Sequence, residues 1–196
     1  MWVFDPIDGT KAFITGKPSW GTLIALLHKG KPVLGIIDQP ITKERWIGVE
    51  GKQTVLNGKP IRTRNRKTIE KAYMYTTTPD MFSGATESAY NRLKKRVLST
   101  SFGADCYGYG LLAAGFVDIV AEGDLKPWDY MAMVPIIEGA GGVITDFNDR
   151  PLRWNRDKES KSITAWSGEV LAAGTRVVHA ESIKTCLLYT SPSPRD

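Results

Sequence analysis

The sequence predicts a layered α/β fold, and three observations predict it. Apolar, β-rich runs broken by turn residues fill positions 2–61, strand-like and helix-like runs alternate from about residue 72, and no run approaches 18 consecutive apolar residues. The first pattern is that of an antiparallel sheet, the second that of helices layered on further strands. With 196 residues, of which 42% are apolar, the chain can bury a real core as one large unit or two small ones.

Taken in order, residues 2–7 read as a buried strand, and Asp8-Gly9-Thr10 as the turn that opens a short helical or irregular segment through Lys17-Pro18. Residues 21–27 and 33–38 are strands separated by hairpin punctuation at His28-Lys-Gly-Lys-Pro32. Residues 45–49 and 54–56 continue the meander, with turns at Glu50-Gly51-Lys52 and Asn57-Gly58-Lys59-Pro60. Beyond the basic segment 62–68, residues 72–77 read as a strand. Tyr90, Leu93, Val97 and Leu98 are spaced as the apolar face of a helix over 86–98. A helix over 106–115, a strand over 117–121 and a helix over 127–139 follow; Pro127 suits its first turn, and Pro135 should kink or loosen it. Strands over 143–145 and 170–173 and a helix over 175–186 complete the pattern. The expected organisation is a unit over 1–67, a second over 68–186, and a tail over 187–196 whose Pro/Ser-rich ending reads as unstructured linker or read-through.

Net charge is +5, carried in short clusters such as Arg62-Thr-Arg64-Asn-Arg66-Lys67, and these read as solvated faces, not as a nucleic-acid-binding stripe. Cys106 and Cys186 lie 80 positions apart, outside any Cys-x-x-Cys pair, so neither a disulfide framework nor a zinc site is expected. A reducing compartment is the default, and no membrane span is expected. Trp2, Trp46 and Trp128 read as core aromatics rather than a stacking platform. His28 and His179 lie far from every motif and read as surface residues, which argues against a zinc or iron centre.

Three carboxylates carry the candidate chemistry. Asp5 and Asp8 close an apolar run and precede Gly9-Thr10, a tight hydroxyl-bearing turn whose free N–H groups suit a phosphate. Asp129 stands in the first turn of a predicted helix, as a ligand or as a simple helix-start residue. Oxygen-only ligation suits Mg²⁺, which keeps several waters and borrows oxygens from a substrate phosphate.

Asp5-Pro-Ile-Asp8-Gly9-Thr10, with Trp128-Asp129-x-x-Ala132 and the following Gly141-Gly142, resembles the paired signatures of the inositol monophosphatase superfamily of magnesium-dependent phosphatases. The two signatures are about 120 residues apart, and the resemblance covers residues 2–185. It implies an α/β/α/β/α sandwich, with the N-terminal helical part missing here. Asp5, Asp8, Asp129 and the Ile7 carbonyl would hold Mg²⁺, and Asp8, Gly9 and Thr10 would hold phosphate. Asp5, Asp8, Thr10 and Asp129 would form the catalytic set. Metals about 3.5–4 Å apart would then clamp phosphate for an in-line attack by water. Family members place a Glu-Glu pair upstream of the first signature, and its absence before Met1 makes an inactive fragment the alternative to an active phosphatase.

Within the superfamily, Asp8-Gly-Thr-Lys-Ala-Phe-Ile-Thr-Gly-Lys-Pro18, Gly103-Ala104-Asp105-Cys106-Tyr107 and Leu125-Lys126-Pro127 are most similar to the histidinol-phosphatase branch. The implied substrate is a small phosphate monoester, L-histidinol phosphate, with inositol monophosphate or 3′-phosphoadenosine 5′-phosphate as alternatives. Gly103, Ala104, Asp105, Glu122 and Asp129 would contact it. Asp105 and Glu122 suit its ammonium and imidazole, or else are turn and cap residues. Asp118 reads as structural, and Lys11 as either a phosphate neighbour or a solvated side chain. A homodimer and an intracellular location, cytoplasm or plastid, complete the implied picture.

Overall fold

A computed structural model describes residues 1–154 and 168–187. The first sheet runs β1 (Trp2–Asp8), β2 (Gly21–His28), β3 (Lys31–Gln39), β4 (Glu44–Val49), β5 (Val55–Leu56) and β6 (Lys59–Pro60) in chain order. Every neighbouring pair is antiparallel. The β2–β3 hairpin turns on Lys29 and Gly30, whose φ values of 48° and 76° match the twist of the strands they join. A short helix, α1 (Thr10–Ile14), fills the β1–β2 connection.

The second sheet is mixed. Its strands β7 (Tyr73–Thr76), β8 (Ser99–Phe102), β9 (Ile119–Glu122), β10 (Val143–Thr145) and β11 (Val170–Ala173) stand in the order β10-β11-β9-β7-β8. β7 is parallel to both β8 and β9, while β11 is antiparallel to β9 and β10. Helices α2 (Gly84–Arg96), α3 (Asp105–Ala113), α4 (Pro127–Tyr130), α5 (Met133–Gly139) and α6 (Arg176–Leu187), with short 3₁₀ turns at Ile69–Lys71 and Pro79–Met81, are the other elements of the described residues.

Two apolar clusters define the layers. One joins Leu23, Ile37 and Trp46 of the first sheet to Tyr109 and Leu112 of α3, Ile136 and Ile137 of α5, and Val120 and Val170 of the second sheet. The other lies on the far side of the second sheet, where Met74, Ile119 and Leu171 meet Tyr90 and Leu93 of α2 and Val178 and Ile183 of α6. The helical layer sits tightly on the first sheet because two strand positions have no side chain. A Cβ on Gly35 would fall 1.9 Å from the Ala132 carbonyl oxygen, and one on Gly48 would fall 2.4 Å from the Ile136 nitrogen. The basic segment before β7 is tied down by Asp118, fully buried, which pairs with Arg64 at 2.5 Å and Arg66 at 3.3 Å and accepts from the Tyr73 N–H at 2.8 Å.

Several expectations need correction. The helix expected over 127–139 is two helices, interrupted at Met131 and Ala132, although both keep right-handed helical dihedrals. Pro135 has no N–H to give to the Met131 carbonyl four residues back, so the ladder is lost there with little change of direction. Leu98 is not on the face of α2 but beyond it and 57% exposed, because residues 99–102 form the unexpected strand β8. Trp46 is core, yet Trp2 is 54% exposed and stacked on Phe4, and Trp128 is partly exposed. His179 is fully buried, not a surface residue. Leu187, assigned to the tail, ends α6; the rest of that tail lies outside the described residues. Cys106 and Cys186 are buried free thiols.

Candidate metal centre

In a regular strand, residues three apart point to opposite faces, so Asp5 and Asp8 would not converge. β1 avoids this with a bulge: Asp5 pairs with Leu23 but Asp8 with Gly21, so three steps on β1 match two on β2. Pro6 sits in the extra stretch, where a missing N–H costs no ladder bond. Its carbonyl accepts from the Thr22 hydroxyl at 2.8 Å, and the Ile7 N–H donates to Asp5 Oδ1 at 3.1 Å. After Asp8 the chain reverses at Gly9, whose φ of 78° favours glycine and whose absent Cβ would press on the Asp105 side chain at 3.0 Å. The Thr10 hydroxyl donates back to the Ile7 carbonyl at 3.1 Å, and the first N–H groups of α1 fall outside its own ladder.

Asp129 comes from the helical layer. Pro127 starts α4, and Asp129 Oδ2 accepts from the Lys126 N–H at 2.7 Å, which fixes the turn. One carboxylate oxygen from each of Asp5, Asp8 and Asp129 lies within 4.8 Å of the other two. They open on a cavity of about 360 Å³ whose lining includes Ile7, Gly9, Thr10, Thr77, Asp105, Tyr109, Glu122 and Trp128. A neighbouring cavity shares Gly9, Thr10, Thr77 and Asp105 and adds Lys11, Lys17 and Gly103.

The electrostatics are those of an acid cluster short of positive charge. Burial first, then the nearby Glu122 and Asp105 carboxylates, pushes Asp8 up to about 8, although the Cys106 N–H donates to its Oδ2 at 2.7 Å. Burial and the adjacent Asp5 raise Asp129 to about 6. Burial raises Glu122 to about 7 against the donors it receives from Thr77, whose N–H lies at 3.2 Å and whose hydroxyl lies at 2.5 Å. Carboxylates so placed are stabilised by a proton or a cation among them. Three hard oxygen donors with no histidine or free thiolate suit a divalent cation of the Mg²⁺ class. The Cys106 thiol, pushed up by burial beside Asp8, stays protonated.

Of the residues singled out from sequence, Asp5, Ile7, Asp8, Gly9, Thr10, Asp105, Glu122 and Asp129 line this one cavity. Gly103 lines the adjoining one. Ala104 does not reach either: its side chain is buried and turned into α3, where it faces Gly108. Lys11 lines the adjoining cavity, close enough to Asp105 to oppose its charge. Sequence reasoning missed Thr77, Tyr109 and the Cys106 N–H. A signal for the first existed, since Thr77, Gly103–Asp105 and Glu122 lie at or just past the carboxyl ends of the parallel strands β7, β8 and β9, where ligands of such sheets collect.

A model of the inositol monophosphatase family matches residues 1–186. A chloroplastic bifunctional phosphatase, IMPL2 of Arabidopsis thaliana, is 54% identical over 185 residues, covering 94% of this chain and 53% of that protein. A histidinol-phosphatase of Chlorobaculum parvum is 31% identical over 150 residues, 76% of this chain and 58% of the relative. Among solved structures, an inositol monophosphatase from Zymomonas mobilis superposes with a TM-score of 0.87 at 44% identity, over 94% of this chain and 69% of that one. The chain thus spans little more than half the length of the curated relatives it matches.

Proposed function

The chain belongs to the inositol monophosphatase family, and from that premise we propose that it forms the catalytic part of a Mg²⁺-dependent phosphomonoester hydrolase acting on L-histidinol phosphate. Asp5, Asp8 and Asp129, with the Ile7 carbonyl, would hold the ion. The chemistry supplied by bound Mg²⁺ is Lewis-acid polarisation of a phosphoryl oxygen and activation of water. The chain's own groups do the rest. Gly9 lets the backbone come close, and the first N–H groups of α1 orient the phosphate, joined by the Thr10 hydroxyl once it turns from the Ile7 carbonyl. Cys106 and Lys126 hold Asp8 and Asp129 through their N–H groups.

The observation that carries the substrate is a surplus of acid. Beyond the three candidate ligands, the same cavity contains Glu122, buried and oriented by both donors of Thr77. A buried acid not needed for the ion suits an ammonium-bearing substrate better than a neutral polyol. The similarity to named histidinol-phosphatases supports this choice, and the resemblance to an inositol monophosphatase structure makes inositol monophosphate the second reading. An intracellular site of action, the plastid in a photosynthetic host, belongs to the same proposal; no described helix is long and apolar enough to cross a membrane.

The test is phosphate release by the gene product carrying these residues, with Mg²⁺ or with chelator, on histidinol phosphate, inositol 1-phosphate and 3′-phosphoadenosine 5′-phosphate. Histidinol phosphate should give the highest kcat/KM, chelation should abolish turnover, and Asp129→Asn should lower kcat/KM by roughly two orders of magnitude or more. Preference for either rival substrate refutes the substrate assignment, and undiminished turnover in chelator refutes the metal.

A further inference from the structure

Asp105 was expected to offer its charge to a substrate, but its backbone is the more unusual feature. Along Gly103, Ala104 and Asp105 the sign of φ alternates, +72°, −99° and +48°, a local reversal of the chain that leads into Cys106. The Cys106 N–H points at Asp8 and donates to its Oδ2 at 2.7 Å. Both sides of the turn are anchored. The Gly103 N–H is shared between the Thr76 and Thr77 carbonyls at 3.2 and 2.9 Å, and the Gly103 carbonyl accepts from the Ser19 hydroxyl at 3.2 Å and from the Lys17 ammonium. Meanwhile the Asp105 carboxylate already faces Ser19, Lys17 and Lys11.

We propose that Asp105 is a positioning residue for Asp8, required for a left-handed backbone that aims the Cys106 N–H and not for its negative charge. The inference rests on the reading of Asp8 as an ion ligand. Aspartate and asparagine tolerate this region of φ, glycine occupies it freely, and alanine resists it. The order of variants therefore separates the roles. A charge role groups Asn, Gly and Ala together as losses, whereas a backbone role leaves Asn and Gly intact and penalises Ala alone.

The experiment compares Asp105→Asn, Asp105→Gly and Asp105→Ala for Mg²⁺ dissociation by calorimetry, for Cys106 amide hydrogen exchange in metal-free protein, and for kcat and KM. Asn and Gly should bind Mg²⁺ within about twofold of wild type; Ala should bind about tenfold more weakly and exchange the Cys106 amide about tenfold faster, the cost of one left-handed non-glycine residue. A rise in KM shared by all three variants, with Mg²⁺ affinity and Cys106 protection unchanged, overturns the proposal. Wild-type protein that binds no Mg²⁺ while Cys106 exchange follows the Asn, Gly, Ala order overturns the metal reading alone and supports the geometry.

Discussion

His179 carries a titration of its own, far from the acid cluster. Its Nε2 lies 2.9 Å from the Thr145 hydroxyl, which itself donates to the Asp146 carbonyl at 2.8 Å, so the ring nitrogen must be the donor. That leaves Nδ1 as a buried lone pair without a hydrogen-bond partner among the described residues, 3.7 Å from the Asp149 carboxylate. Burial outweighs that carboxylate and lowers the imidazole from 6.5 to about 4. Since the folded state binds the proton less well than the unfolded chain, the stability from neutral His179 is complete above pH 6.5 and lost as pH falls toward 4. The loss is on the order of 3 kcal/mol. Urea midpoints measured at pH 7 and pH 4 should fall more steeply for wild type than for His179→Gln; parallel falls would contradict the assignment. No periodicity in the sequence pointed to this burial, because His179 sits one position past Val178 in a helix whose polar and apolar residues are poorly segregated.

At the level of elements, the acids converge because a strand bulge, a missing methyl group and a helix start cooperate. The Gly35 position is the most exacting of these, since an added Cβ would meet a backbone carbonyl that has no rotamer to yield. Gly35→Ala should cost about 2–3 kcal/mol in urea unfolding, and it should weaken Mg²⁺ binding by shifting Met131 and Ala132 and with them the Asp129 turn. Unchanged stability would mean that the helical layer is not seated there. Much of this was legible in the sequence. Pro6 between two aspartates marks an interrupted strand, Gly9 marks a reversal, and Pro127 marks a helix start. Strand β8 was not, because Ser99-Thr-Ser-Phe102 lacks an apolar alternation and is held by pairing with β7 rather than by burial. The interruption before α5 was half legible: Pro135 announced a fault, but the lost bond belongs to a carbonyl one turn earlier.

Taken as a whole, the molecule stacks a sheet, a helical layer, a second sheet and a further pair of helices. The outer face of the first sheet carries two cross-strand apolar rows, Phe4, Ile24, Ile36 and Ile47 in one and Trp2, Leu26, Leu34 and Val49 in the other. Phe4 is 57% exposed and Trp2 54%, and the remaining members are half-buried. Apolar surface of this extent drives association. The isolated 196-residue chain should therefore self-associate in light scattering at micromolar concentration, and Trp2→Lys with Phe4→Lys should reduce that association without altering Mg²⁺ binding; a monodisperse wild-type chain would refute this.

Asp5 and Asp8 belong to the first sheet, Asp129 to the helical layer, and Glu122 to the second sheet. Their mutual repulsion is a wedge driven between three strata that apolar packing and a few cross-layer hydrogen bonds, such as Cys106 N–H to Asp8 and Thr54 to Ile136, hold shut. Whatever neutralises the wedge tightens the stack, so the molecule is most relaxed in alkaline solution stripped of divalent ions, and there it is most open to proteases.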